Sequence, residues 1–236
     1  MNGVSAGREL EGYVAIVTGS ARNIGRAIAL ELADAGATIA IHARTSRQDG
    51  EEVVREIEAL GGRAKLFLAE LTDPAAVGDM IDAVKSEFGR IDILVNNAAM
   101  RGDAPIEEIT YDAWRKVLAS ILDSAFLCSQ AALPHLTESG RGAIVSIAGV
   151  AGHTGIEGRA HVVTAKTGLI GLTRALSAEL AGRNITVNCV SPGYMNTKRD
   201  HVPPHFLVRP VPMKRPGERR RSPRRSASSA APVRAT

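Results

Sequence analysis

The sequence predicts an α/β protein, a doubly wound parallel sheet in three layers with helices on both faces. Three observations lead there. Short continuous apolar runs alternate with helical patterns along most of the 236 residues. The runs are apolar on both sides, as strands covered on two faces must be. Gly36, Gly61–Gly62, Gly89 and Gly182 fall just after helical stretches, where a left-handed cap is favoured.

The elements follow in order. "YVAIVTG" leads into "IGRAIALELADAG", and "ATIAIHA" into "EEVVREIEALGG". "AKLFLAE" precedes "AAVGDMIDAVKSEFG", and "IDILVNN" precedes a long helical stretch from about Thr110 to Leu136. "GAIVSIAG" comes before a helix containing Lys166, and "NITVNCVSPG" comes after it. Six strands alternating with helices give a sheet of βαβ units. Residues 1–200 are expected to form this domain, and 201–236 a proline-rich and then basic disordered tail.

Composition narrows the function classes. The chain is 44% hydrophobic, as a globular protein with its own core would be. No apolar run reaches membrane-spanning length by eye, and "MNGVSAGREL" has no apolar core of a signal peptide. Cys128 and Cys189 lie in mostly apolar contexts and read as free thiols. The expectation is a cytoplasmic protein with no membrane partner. The net charge of +4 divides unevenly: residues 201–236 carry +8, leaving −4 on the rest. Nucleic-acid binding would rest on "RPGERRRSPRRS" alone, without interleaved aromatic residues, and is not expected.

"VAIVTGSARNIGRAIA" places a turn between the first strand and the first helix, where backbone amides and a helix N-terminus suit a dinucleotide phosphate. From Leu10 to Arg199 the sequence resembles the short-chain dehydrogenase/reductase family, in particular the 3-oxoacyl-[acyl-carrier-protein] reductases. The family's T-G-x-x-x-G-x-G runs here as Thr18, Gly19, Ser20, Ala21, Arg22, Asn23, Ile24, Gly25, with Asn23 for the middle glycine. Asparagine tolerates left-handed backbone best after glycine. "NNAA", with Asn96, Asn97, Ala98 and Ala99, resembles the family's N-N-A-G. "LAELTD", with Glu70 and Leu71, resembles the segment that holds the adenine, and Pro192, Gly193 and Thr197 match the segment along the nicotinamide. The resemblance implies a Rossmann-type fold and cofactor contacts from these residues. It implies a homo-oligomer where the C-terminus is intact, and a small carbonyl or alcohol as substrate.

Charge bears on which cofactor. A site for NAD places an acid after the second strand, to bond the ribose 2′-hydroxyl. "IHARTSR" has Arg44 there and no acid, and Arg22 lies in the phosphate turn. Two arginines suit a 2′-phosphate, so NADP(H) is expected, with NAD(H) as the second choice.

The resemblance also implies a catalytic serine, tyrosine, lysine and asparagine. Aligned on flanking residues, the lysine is Lys166, but the tyrosine falls at Val162, the serine at Gly149 and the asparagine at Ile121. Three polar groups are gone. Ser120 and Ser146 are near in sequence but should point elsewhere. His161 should point away from the cofactor, as an interface or surface histidine. His153, Arg101 and Arg159 should lie near the mouth. Weak or altered oxidoreduction is expected, and the alternative is a non-catalytic nucleotide-binding partner of an active relative.

The family continues into one more helix and strand. Here the chain turns to arginine and serine. Back-translating residues 219–236 with chosen codons and shifting the frame yields an amphipathic helix leading to a strand. The expectation is therefore a last strand lost through an out-of-frame C-terminus.

Overall fold

The structure is a computed structural model, and it describes residues 8–195. Thr197, the tail and the passage expected to be out of frame lie outside the described residues.

Among the described residues six parallel strands form one sheet: β1 (Val14–Val17), β2 (Thr38–Ala43), β3 (Ala64–Leu68), β4 (Ile93–Asn96), β5 (Ala143–Ile147) and β6 (Thr186–Val190). Their order is β3-β2-β1-β4-β5-β6. The winding reverses between β1 and β4, paired at Ala15–Ile93, Ile16–Leu94 and Val17–Val95. Loops leaving the C-terminal ends of these two strands diverge, and a crevice opens between them.

Side chains alternate along β1 and serve two cores. Val14 and Ile16 pack with Ile81, Val84, Leu94, Cys128, Leu136 and Ile144 on one face. Ala15 and Val17 pack with Leu30, Ile39, Ile41, Val53 and Ile57 on the other. Helices α1 (Asn23–Asp34) and α2 (Arg47–Ala59) cover that second face. The first is covered by α3 (Pro74–Phe88), which starts on an Asp73 cap bonded to the Ala75 and Ala76 amides and stops at left-handed Gly89.

The long helical stretch is not continuous α-helix. It runs as α4 (Tyr111–Leu118), a π-helical turn at Ala119–Asp123, and α5 (Ser124–Ser139). The extra residue in a π turn rotates the next helix by about one position. By length and composition this passage could cross a membrane, contrary to the expectation that no apolar run is long enough. Its apolar side is used inside the fold, where Cys128, Ala132 and Leu136 are fully buried.

After β5 come a short α6 (Ala151–Thr154) and the long α7 (Ala160–Leu180). Val162, Ala165 and Leu169 of α7 form a third core with Val117, Ile121 and Ala125. Two details depart from expectation. Gly182 is not left-handed; Asn184 takes that conformation two residues on, at φ 56°. His161 is neither at the surface nor free for a partner chain: it is 3% exposed, with its ring against the backbone at Gly102.

Asp92, before β4, fixes the opposite end of the sheet. Its buried carboxylate accepts the Val14 amide at 2.9 Å, Arg90 at 2.6 and 2.8 Å, and Arg141 at 3.0 Å. Burial would raise its pKa, but the bonds from Arg90, Val14 and Arg141 prevail and hold it below the usual value.

Candidate functional site

The crevice at the β1–β4 switch is a cleft of about 660 Å³. Its floor is the turn after β1. Gly19 takes φ 62° and Asn23 φ 53°, both left-handed. A Cβ on Gly25 would lie 2.5 Å from Asn97 Nδ2 and press on the Gly19 carbonyl, so only glycine lets α1 begin this close to the turn. Arg22 precedes α1 without a side-chain cap, and the first turn carries no acid. The positive end of the helix dipole there favours an anion.

Thr18 ties the turn to β4. Its hydroxyl donates to Val95 O at 3.2 Å and accepts the Asn97 and Ala98 amides at 2.9 and 3.0 Å. Asn97 Nδ2 returns to Thr18 O at 2.8 Å and Gly19 O at 3.1 Å. Asn97 thus braces the turn, while buried Asn96 donates to Ser129 of α5 at 3.1 Å. Strand alternation sends the two asparagines to opposite sides.

Most of the residues expected at the cofactor meet in this cleft. Gly19, Arg22, Asn23, Ile24 and Gly25 line one end with Arg44, Glu70 and Leu71; Asn97 and Ala98 line the middle; Lys166, Pro192 and Gly193 line the other end. Ser20 is not on the wall. It is fully buried beneath it, and its hydroxyl accepts the His42 amide at 2.9 Å.

The arginines have company that the sequence did not reveal. Arg22 Nε donates to Asp49 of α2 at 2.6 Å. Arg44 lies 3.7 Å from Glu70, whose other oxygen accepts the Thr72 amide and hydroxyl at 3.1 and 2.9 Å. Asp49 escaped notice because it lies beyond the strand end, in the first turn of α2. His42 also lines the cleft and was missed; a lone histidine in the apolar run "ATIAIHA" was its signal.

At the far end Lys166 is 9% exposed and donates to Ile147 O at 2.6 Å. Burial lowers its pKa to about 8. Val162 stands one turn earlier, also on the cleft wall, where it offers no proton. Gly149 lines the cleft too, with nothing nearer to an added Cβ than Pro192 O at 3.9 Å. Ile121, in contrast, is buried in the third core and Ser120 reaches the cleft. That overturns the expectation that Ser120 points elsewhere: the π turn places it there. Its hydroxyl is engaged, donating to Val117 O at 3.0 Å and accepting the Met100 amide at 3.1 Å. Ser146 is buried in β5.

Arg101 and Arg159 do line the mouth, and Arg159 is paired with Asp103, one contact at 2.9 Å. His153 is exposed on α6, 3.0 Å from Ser191 Oγ, and is not part of the wall.

A family model described as short chain dehydrogenase matches residues 13–203. The chain belongs to the short-chain dehydrogenase family. It is similar to the 3-oxoacyl-[acyl-carrier-protein] reductase FabG of Staphylococcus aureus strain Mu50, at 40% identity over 77% of this chain and 74% of the relative. FabG of Escherichia coli K12 is 38% identical over 79% of this chain and 75% of the relative. Among solved structures, a short chain dehydrogenase from Burkholderia cenocepacia J2315 in complex with NADP has a TM-score of 0.84 and 36% identity, covering 89% of this chain and 87% of that one. A dehydrogenase/reductase from Sinorhizobium meliloti 1021 has a TM-score of 0.83 and 33% identity, covering 91% and 86%. This short-chain dehydrogenase has a parallel sheet with a cleft at its switch point, and Val162 and Gly149 face that cleft.

Proposed function

We propose that this short-chain dehydrogenase binds NADP(H) in preference to NAD(H), and acts weakly or in an altered way on a small carbonyl or alcohol in the cytoplasm. The observation that carries the reading is the pairing of Lys166 with Val162 on one face of α7, both in the wall of a dinucleotide-sized cleft.

The residues fit the cofactor. The turn from Gly19 to Gly25 supplies amides and a close backbone for the phosphates, and Asn97 and Thr18 hold it in place. Arg22 and Arg44 both line the cleft and would bond a 2′-phosphate. Glu70 and Leu71 would hold the adenine, and Pro192, Gly193 and Thr197 the nicotinamide. When bound, a nicotinamide supplies or takes up the hydride that interconverts a carbonyl and an alcohol.

The protein's part in that chemistry is positioning and proton supply. Lys166 keeps its proton at neutral pH, since even its lowered pKa of about 8 lies above 7. It would hold a ribose hydroxyl of the cofactor as a charged donor. An oxyanion near Val162 and Gly149 meets neither phenol nor hydroxyl there, and the Ser120 hydroxyl is already engaged. A positioned general acid contributes about 10²–10⁴-fold, so cofactor binding survives where catalysis is slow. The same replacements favour a second reading, a nucleotide-binding partner without turnover.

Titration with NADPH and NADH tests the first half. NADPH should bind more tightly, and Arg44→Asp should reverse the order. Equal affinities that this substitution leaves unchanged would refute the assignment. Assay against a panel of ketones separates the slow enzyme from the silent partner.

A further inference from the structure

We propose that His42 is a positioning residue for the cofactor turn, holding the Gly19 amide through the unprotonated Nδ1 of a neutral ring. The inference rests on reading the cleft as a dinucleotide site.

His42 lies near the C-terminal end of β2 and is 3% exposed. Its ring joins the ends of three strands. Gly19 N, in the turn after β1, is 2.9 Å from Nδ1, and Ala69 O, after β3, is 3.1 Å from Nε2. An amide N–H can only donate and a carbonyl can only accept. Nδ1 therefore accepts, Nε2 carries the proton, and the ring is neutral. The backbone adds two bonds: Ser20 N donates to His42 O, and His42 N donates to Ser20 Oγ, both at 2.9 Å. Gly19 takes φ 62°, the conformation that turns the chain toward α1.

A proton on Nδ1 would set two donors against each other. One must move, and the nearer side of the contact is the turn itself. Gly19 O also accepts Asn97 Nδ2 at 3.1 Å, so a shift there reaches the middle of the cleft. Burial lowers the His42 pKa, while the bond to Ala69 and the charge of Glu70 act the other way. The turn after β1 meets the ring at the Gly19 amide, an uncharged group. Glu70, beyond β3, is the charged group acting on it, and its carboxylate is engaged by Thr72 and lies 3.7 Å from Arg44 on the ring's own strand segment. The folded ring thus takes a proton less readily than the unfolded one. Its contribution is complete above about pH 6.5 and is lost as pH falls below that value through the folded pKa.

The test is calorimetric titration with NADP+ from pH 5 to 8, on the parent, His42→Asn and His42→Leu. Asparagine can offer an acceptor where Nδ1 stands but does not titrate; leucine offers none. The parent should lose affinity roughly tenfold more than His42→Asn between pH 7 and 5, and His42→Leu should bind roughly tenfold more weakly at every pH. A His42→Leu protein that binds like the parent would overturn the proposal. So would parallel acid limbs in the parent and His42→Asn. If the parent binds neither NADP+ nor NAD+ at neutral pH, the dinucleotide reading fails instead. His42 is then judged on the unliganded protein: the Gly19 amide resonance should titrate with a midpoint below 6.5 in the parent and stay level in His42→Asn. An amide unmoved by pH in the parent overturns the inference on its own.

Discussion

Asp49 offers the most direct handle on cofactor choice. It holds Arg22 at 2.6 Å, on the rim where a 2′-phosphate would compete for the same guanidinium. The two side chains are 65% and 36% exposed. An ion pair that wet contributes at most about 1 kcal/mol, whereas a hydrogen bond to a charged group contributes about 1.5–3 kcal/mol. The phosphate should win, with the broken pair as its cost. Asp49→Asn removes most of that cost, so NADPH affinity should rise by up to about fivefold, from 1 kcal/mol at 1.4 kcal/mol per decade. NADH, lacking the phosphate, should bind as before. Fluorescence titration of both cofactors reads the difference, and the gain should shrink with added salt. Weaker NADPH binding in Asp49→Asn would mean that Asp49 orients Arg22 instead of competing for it. An equal gain for both cofactors would mean that the arginine does not meet the 2′-phosphate.

Two further substitutions test the two ends of the cleft. Gly25→Ala places a methyl group 2.5 Å from Asn97 Nδ2 and against the Gly19 carbonyl; cofactor affinity should fall at least about tenfold and stability by about 1–3 kcal/mol, as for overpacking, and an unchanged dissociation constant by calorimetry would place the phosphates elsewhere. Lys166→Met removes a buried ammonium whose pKa is lowered to about 8, a penalty of about 3 kcal/mol at neutral pH, less about 1 kcal/mol for the lost bond to Ile147 O. The variant should melt a few degrees higher than the parent at pH 7. The unfolded amine keeps its proton up to about 10.4, so the parent should regain stability between about pH 8 and 10 and the gap should narrow; a gap that is constant with pH would contradict the burial of a charged lysine.

The sheet was legible because its signals are local. Runs such as "VAIV" and "ILVN" have no polar face, and only a strand covered on both sides uses such a run. The glycine turn was legible because Gly19 and Gly25 answer steric demands that few other residues meet. The misread features depend on three-dimensional register. Ser120 and Ile121 differ by one position, and the π turn that exchanges their faces leaves no mark in composition. Asp49 reaches Arg22 across 27 residues of chain, so counting acids near the strand end could not find it. His161 sits on the expected side of α7, but its burial depends on the loop at Gly102. His42 was written in plain sight in β2, yet its partners come from two other strand ends.

The central claim is that a dinucleotide cleft persists where the proton donor has gone. It is tested by the rate at which the unmodified chain, saturated with NADPH, reduces a panel of ketones, beside the triple variant Ile121→Asn, Gly149→Ser, Val162→Tyr. Gly149 has space for a side chain and Val162 already lines the cleft. Ile121 is buried, so its replacement carries a stability cost of about 1–3 kcal/mol. The parent should bind without appreciable turnover, Val162→Tyr alone should gain little, and the triple variant should reduce ketones faster. Reduction by the parent at about 1–10³ s⁻¹, the ordinary range for enzymes, would contradict it, above all if His153→Ala or His161→Ala abolished the activity.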